Sequence, residues 1–189
     1  MAFTDNRVRY TKMVLQQALL KVLKNKRIDQ VTIKEVCDEA QVNRGTFYLH
    51  YATPNDLLME IEQQFIDENL AHFSSYMKTN YEGGHLADVF RCIMQNQELC
   101  QIIMGKNGNP RFLMRIQEMM RSSMVDDWCK DFPQYKRDDL NYVYDYVFTG
   151  SMRLILNWLE NENGLSAADL ARRLDRLGHY AHLAIQEFD

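Results

Sequence analysis

The amino-acid sequence predicts an all-helical fold, and three observations support that prediction. Strong helix formers dominate the 189 residues, which include eleven methionines but only three prolines. Apolar residues recur at intervals of three and four along almost the whole chain, which is the spacing of a helix face. Runs of β-branched residues are scarce, and the 46% of hydrophobic residues is enough for a substantial core.

Two helices are expected in the first forty residues. The first should run from about Val8 to Asn25, because its apolar side chains fall on one stripe. The second should cover about residues 32–40, since Thr32 can cap its start and Glu35 can reach back to complete a capping box.

A short turn and two more helices should follow. A three-residue interruption ends at Asn43, which is a suitable N-cap for a third helix of about two turns. Thr53 and Asp56 can form a further cap around Pro54, a residue that suits the first turn of a helix. This arrangement predicts a fourth helix over about residues 54–78.

Five further helices are expected, separated by loops rich in glycine, asparagine and proline, of which the stretch 105–110 is the clearest. Their approximate ranges are 86–93, 97–104, 110–129, 137–162 and 166–187. We therefore expect nine helices, three of them within residues 1–53 and six within residues 54–189.

Charge is distributed unevenly along the chain. The net charge is −4, but residues 1–55 carry nine lysines and arginines against five acidic residues. Arg7 and Arg9 are expected in a flexible arm that could add to this basic charge. A basic N-terminal third can face nucleic-acid phosphates while an acidic body keeps the protein in solution. Chance variation in surface charge is the alternative.

The cysteines, histidines and apolar runs argue against several classes of protein. None of the four cysteines forms a Cys-x-x-Cys pair, so we expect reduced thiols and no zinc site. His179 and His182 are three apart on the last expected helix, where packing or surface exposure is the alternative to metal binding. No apolar stretch approaches the roughly 20 residues needed to span a bilayer, and the N-terminus lacks the apolar core of a secretory signal. We expect a cytoplasmic protein without a cofactor or membrane contact.

The second and third helices have the arrangement of a DNA-binding helix-turn-helix. They are short, a three-residue turn separates them, and the later one is polar on one side. Such a helix must enter a major groove about 12 Å wide and present hydrogen-bond donors and small side chains. Residues 43–51 supply this mixture, because Phe47 and Tyr51 can face the core while the polar residues face outward.

Eight residues are candidates for DNA contact. Arg44 is the best base reader, because its guanidinium can pair with a guanine edge. Gly45 would allow the backbone to approach the duplex closely, and Thr46 and Tyr48 suit phosphate oxygens or a thymine methyl group. For single members of the set, packing or plain solvent exposure remains the alternative. The complete set is Thr32, Lys34, Asn43, Arg44, Gly45, Thr46, Tyr48 and His50.

The stretch from Val31 to Tyr51 resembles the DNA-binding domain of the TetR family of regulators. The shared pattern is a threonine-capped helix, an alanine before the turn, and a Gly-Thr-x-Tyr-x-His-aromatic signature. The matching residues are Ala40, Gly45, Thr46, Phe47, Tyr48, His50 and Tyr51. The resemblance covers about residues 8–66, and a looser one around 146–150 and 158–159 points to a C-terminal subgroup of the same family.

The resemblance implies a three-helix DNA-binding domain, here residues 1–53, and a helical regulatory and dimerisation domain, here residues 54–189. It also implies a homodimer that is held by the last two helices and binds a double-stranded DNA operator. It also implies a ligand pocket in the C-terminal domain, whose filling moves the fourth helix and separates the two recognition helices. The sequence departs from the family at Pro54, where a lysine usually contacts phosphate. Loss of that contact would lower the magnitude of the slope of the logarithm of the binding constant against the logarithm of salt concentration by about one.

Aromatic and methionine side chains of the C-terminal half could border an effector pocket, although core packing is the alternative for each of them. The candidates are Phe90, Met94, Trp128, Tyr142 and Tyr146. Gly150 lies within an expected helix, where a close helix crossing would explain a residue that weakens helices.

The leading interpretation is a ligand-responsive, homodimeric repressor. The alternative is a transcriptional coactivator controlled by a partner protein that binds the C-terminal domain, which the acidic body would allow. An enzyme is not expected, because the chain has no glycine-rich phosphate loop, nucleophile elbow or paired metal motif.

Overall fold

The computed structural model of the chain describes residues 2–78, 86–160 and 164–184. These residues form nine α-helices, no strands and one short 3-10 helix at Ile28–Gln30, which confirms the predicted fold class. The helices are α1 (Ala2–Leu23), α2 (Ile33–Ala40), α3 (Arg44–Tyr48), α4 (Pro54–Lys78), α5 (Leu86–Gln95), α6 (Gln97–Ile103), α7 (Arg111–Asp131), α8 (Arg137–Glu160) and α9 (Ala167–Leu183).

The chain folds into two compact units. The first comprises residues 1–68 together with residues 98–112, and the second comprises residues 69–97 together with residues 113–189. The division falls within α4, so this helix contributes residues to both units. The functional division into residues 1–53 and 54–189 stays a prediction.

Helix α1 begins earlier than the sequence pattern suggested. It starts at Ala2 rather than near Val8, so the prediction of a flexible arm carrying Arg7 and Arg9 was wrong. No proline or glycine interrupts residues 2–10, and the hydroxyl of Thr11 donates a hydrogen bond to the Arg7 carbonyl one turn earlier, at 2.9 Å. Both arginines are exposed on the helix surface.

The core of the first unit is built from α1, α2, α3 and the start of α4. Its side chains are aliphatic or aromatic and at most 5% exposed, which makes this a closely packed set. The main contributors are Leu15, Leu19, Leu23, Val36, Phe47, Tyr51, Leu57 and Leu58.

The loop after α6 belongs to this first unit. A side chain at Gly108 would place its Cβ 2.4 Å from the Ile103 carbonyl oxygen and 2.6 Å from that of Ile102. These are backbone atoms that cannot move away cheaply, so only glycine fits at this position. The loop therefore turns tightly over the end of α6.

The second unit has an aromatic core between α7 and α8. The ring of Tyr144 stacks on Phe148, with centroids 5.7 Å apart, and meets Trp128 edge to face at 6.2 Å. The Tyr144 hydroxyl donates to the Gln117 carbonyl at 2.6 Å. Arg121 forms a bidentate ion pair with Asp145, which joins the same two helices at the surface.

Two further expectations about the helices need correction. Helix α3 is shorter than the expected two turns, because His50 N–H donates to the Phe47 carbonyl at 3.0 Å and tightens the last turn. Gly150 does not lie at a crossing of described helices, since a Cβ there would meet nothing within 4 Å. None of the described helices has both the length and the apolar character needed to cross a membrane.

Candidate nucleic-acid interface

Helix α2 is held at its start by the predicted capping box. The Thr32 hydroxyl oxygen accepts from the Glu35 N–H at 3.3 Å, and the Glu35 carboxylate accepts from the Thr32 N–H at 2.9 Å. The ammonium of Lys26 also donates to Glu35, at 2.7 Å. The hydrogen bond from Lys26, together with those from Thr32, lowers the pKa of Glu35 from 4.5 to about 2.

A tight turn separates α2 from α3. Gln41 adopts the left-handed conformation with φ +55° and ψ +40°, which is uncommon for a residue with a side chain. The N–H of Val42 then donates to the Cys37 carbonyl at 3.0 Å, so the end of α2 is closed.

Asn43 caps the start of α3, as the sequence predicted. Its Oδ1 atom accepts a hydrogen bond from the Thr46 N–H at 2.7 Å and a second one from the Thr46 hydroxyl at 3.1 Å. A Cβ at Gly45 would come within 3.1 Å of this same oxygen. The cap therefore gives Gly45 a local structural role beside the expected close approach to DNA.

The inner side of α3 anchors it to the core. Phe47 is fully buried, and its ring lies 5.7 Å from that of Tyr51, which is only 5% exposed. The ammonium of Lys12 lies 5.6 Å from the Tyr51 ring centroid and 3.0 Å from the Glu60 carboxylate. Burial, and then the neighbouring Glu60, raises the pKa of the Tyr51 hydroxyl above its ordinary value. These contacts fix the rotation of α3, so its opposite side faces solvent.

Most of the candidate DNA-contacting residues are exposed to solvent. Six of the eight residues are exposed, while Thr46 and His50 are half-buried. Tyr48 is 60% exposed, although its ring also meets Phe47 edge to face at 6.1 Å. The exposed six are Thr32, Lys34, Asn43, Arg44, Gly45 and Tyr48.

The local caps limit what some of these side chains can offer to a ligand. The Thr32 hydroxyl donates to Glu35 at 2.7 Å, and the Thr46 hydroxyl donates to Asn43 at 3.1 Å. Each hydroxyl proton is therefore used within the protein. Arg44, Lys34 and the Tyr48 hydroxyl are the exposed donors outside these caps.

Ion pairs use much of the basic charge of the N-terminal third. In the described residues, Lys21 pairs with Glu39 and Lys26 with Glu35. The other pairs are Lys12–Glu60, Lys24–Glu98 and Arg27–Asp29. Arg7, Arg9, Lys34 and Arg44 stand outside these pairs, so less of the basic charge is available to a polyanion than the overall count suggested.

Sequence reasoning gave little weight to Leu49, which directly follows α3. The structure leaves its side chain 80% exposed. It is the most exposed large hydrophobic side chain in the described part of the chain. The four-residue spacing from Gly45 was the available signal, because it places both residues on one helix side.

The five candidate pocket residues are not brought together. Tyr142 and Tyr146 are 70% and 75% exposed. Phe90 and Trp128 are buried in the core, where Phe90 meets Trp158 at a centroid distance of 5.6 Å, and Met94 is 46% exposed.

Tyr142 and Tyr146 instead line an open groove between α8 and α9. The groove has a volume of about 680 Å³ and is almost entirely apolar, with Ser151 as one of its few polar side chains. Its floor is shallow where α8 and α9 approach each other, since a Cβ at Gly178 would lie 3.6 Å from Val147. The exposed apolar residues along it are Tyr142, Tyr146, Leu154, Leu177 and Tyr180.

The cysteines and histidines show no sign of a metal site in the described residues. In the part of the chain that the structure describes, no three histidine, cysteine, aspartate or glutamate side chains lie together so that they could hold a metal ion. Cys37, Cys92 and Cys100 are buried, and Cys129 is half-buried. His179 is exposed, whereas the side chain of His182 lies outside the described residues.

Comparison with known proteins identifies the family. A TetR family model described as the transcriptional regulator C-terminal region matches residues 84–180. YxbF of Bacillus subtilis (strain 168), named as an uncharacterized HTH-type transcriptional regulator, is 35% identical over 71 residues, which span 37% of this chain and 19% of YxbF. The crystal structure of a TetR transcriptional regulator from Streptococcus agalactiae 2603V has the same fold, with a TM-score of 0.68 and 19% identity over 94% of this chain and 98% of that one. The chain belongs to the TetR family of transcriptional regulators.

Proposed function

We propose that this protein is a homodimeric repressor that binds a specific DNA operator through α2 and α3 and responds to a ligand or partner on its C-terminal helices. The observation that carries the proposal is the orientation of α3. Phe47 and Tyr51 anchor its inner side, while Arg44 and Tyr48 face solvent. The proposed regulator acts in the cytoplasm, without a catalytic step or a cofactor.

The exposed side of α3 has the chemistry that a major groove requires. Arg44 lies in the first turn, where a recognition helix contacts base edges, and its guanidinium can bind the O6 and N7 atoms of guanine in bidentate fashion. Lys34 lies in the first turn of α2 and would contact the phosphate backbone. Arg44 would therefore contribute base specificity, and Lys34 would contribute affinity that falls with salt.

A second copy of the chain would cover the groove between α8 and α9. Tyr146 and Leu177 are 75% and 58% exposed, and contiguous apolar surface of this kind marks an interaction site. A two-fold arrangement would pair the same surface of both copies and bring four helices together. Such a dimer would carry two recognition helices, which is the number that a symmetric operator requires.

Helix α4 is the proposed route for the signal. It begins at Pro54, directly after the recognition segment, and continues without interruption to Lys78. A ligand or partner that binds residues 54–189 and shifts this helix would change the position of α3. The candidate pocket side chains stay a prediction for that effector site.

A binding titration tests the DNA proposal. Fluorescence anisotropy would measure binding of the wild-type protein to a labelled duplex from its own upstream region at several salt concentrations. Arg44→Ala should weaken binding by about 10-fold or more, because one bidentate base contact discriminates by roughly 1–3 kcal/mol. Arg111→Ala is the matched control, since Arg111 is also an exposed arginine but lies outside the interface. If the wild-type protein shows no specific, salt-sensitive binding, the proposal is refuted.

A further inference from the structure

We infer that Leu49 reads the methyl group of a thymine in the operator and so contributes to base specificity. This inference rests on the proposed DNA-binding function and adds a residue to it. Leu49 is 80% exposed, although burial of a leucine side chain is favourable. The fold nevertheless leaves this apolar side chain in solvent, on the same side as the exposed residues of α3.

The backbone places Leu49 on the middle of the exposed side of α3. Its φ of −68° and ψ of −18° keep it in helical conformation, and its N–H donates to the Gly45 carbonyl at 3.2 Å. At about 100° per residue, Leu49 therefore lies opposite the direction midway between Phe47 and Tyr51, the two buried anchors. Its side chain projects directly away from the core.

Among the large apolar side chains in and next to α3, that of Leu49 is the most exposed. Gly45, one turn earlier on the same side, has no side chain that could hold the helix away from a groove. At the same 100° per residue, Tyr48 and Thr46 lie on the two sides of this strip and carry polar groups. Base edges in the major groove present donors, acceptors and one apolar feature, which is the C5 methyl group of thymine. An exposed leucine side chain between polar residues is complementary to that methyl group.

The test removes the methyl group from the DNA and the leucine from the protein. An operator is first selected from a randomised duplex library by the wild-type protein. The thymines are then replaced by uracil one position at a time, with the equivalent position changed in both half-sites. The affinity for each substituted operator is measured for wild type and for Leu49→Ala. Burial of one methyl group corresponds to about 4-fold in affinity. Removal of the methyl group that Leu49 contacts in both half-sites should therefore lower the affinity of the wild-type protein by about 15-fold. The same uracil substitution should lower the affinity of the Leu49→Ala variant by less than about 2-fold.

Controls separate this inference from the function on which it rests. Met114→Ala removes another large side chain, 67% exposed on α7, and should keep the full uracil effect. Circular dichroism would verify that both variants retain their helices. An operator at which no uracil substitution distinguishes wild type from Leu49→Ala would overturn the role of Leu49 but not DNA binding. Failure to select any sequence would overturn both.

Discussion

The side-chain amide of Asn107 donates a hydrogen bond to the backbone carbonyl of Leu23, at 2.9 Å, across 84 residues of sequence. The backbone carbonyl of Asn107 accepts in return from the Ile28 N–H, also at 2.9 Å. Leu23 is the last residue of α1, where helix carbonyls lack partners within the helix. The loop after α6 therefore closes the end of the first helix.

Replacing Asn107 with alanine should destabilise the protein. The change leaves the partly buried Leu23 carbonyl without this donor, which costs about 1–3 kcal/mol of unfolding free energy. Urea titration at one fixed protein concentration measures the effect. Asn25→Ala, at an exposed asparagine nearby, should stay within about 0.5 kcal/mol of wild type. Equal effects of the two substitutions would show that the hydrogen bond is unimportant.

The capping box at Glu35 should make stability depend on acid pH. Its folded-state pKa is lowered from 4.5 to about 2, so the stabilisation is complete above pH 4.5 and is lost as pH falls toward 2. Glu35→Gln keeps a side-chain acceptor for the cap but cannot titrate. The advantage of wild type over this variant should therefore shrink between pH 4.5 and pH 2.

Chemical denaturation of both proteins across this pH range measures the difference. Other carboxylates titrate in both proteins, so their contribution cancels in the comparison. Lys26→Met removes the largest cause of the lowered pKa and should move the loss of stability to higher pH. Parallel stability curves for wild type and Glu35→Gln would contradict the assignment.

Gln41→Gly should stabilise the helix-turn-helix. The left-handed conformation costs a residue with a Cβ roughly 1–2 kcal/mol, and glycine avoids this at an entropic cost of about 0.5–1 kcal/mol. The net gain in unfolding free energy should be about 0.5–1 kcal/mol, measured by thermal or urea unfolding. Gln17→Gly, at an exposed position within α1, should have the opposite sign. A loss of stability in both variants would argue against strain in the turn.

Leu177→Glu should convert the protein from a dimer to a folded monomer. Leu177 is 58% exposed within the chain, so the substitution is tolerated by the single copy, but a buried carboxylate would oppose a dimer formed over the groove. Size-exclusion chromatography with light scattering would give twice the chain mass for wild type and the single mass for the variant. Met114→Glu, outside the groove, should remain dimeric. A monomeric wild type, or a dimeric Leu177→Glu variant, would refute the proposed interface.

The local elements of this protein were predictable from its sequence. The three caps at Thr32, Asn43 and Thr53 form the expected hydrogen bonds, and α4 begins at Pro54, where the pattern placed it. Each cap involves residues only three apart, so its residue types specify it without help from the rest of the chain. The same holds for the burial of Phe47, whose helical spacing to Tyr51 defines one face.

The candidate pocket shows where periodicity ceases to be informative. Phe90 and Trp128 are buried, whereas Tyr142 and Tyr146 are exposed, although all four were expected to share one environment. Helical spacing identifies side chains that share a face, but it does not say whether a neighbouring helix covers that face. Which faces pack together is decided by contacts between distant segments.

The sequence by itself determined the helices, their caps and a polar recognition segment, because those depend on hydrogen bonds and spacing within a few residues. Only the tertiary structure decided that residues 98–112 join the first unit. The groove between α8 and α9 likewise depends on how the two helices pack. The physical reason is that these features arise from packing between segments far apart in the chain, which local spacing does not encode.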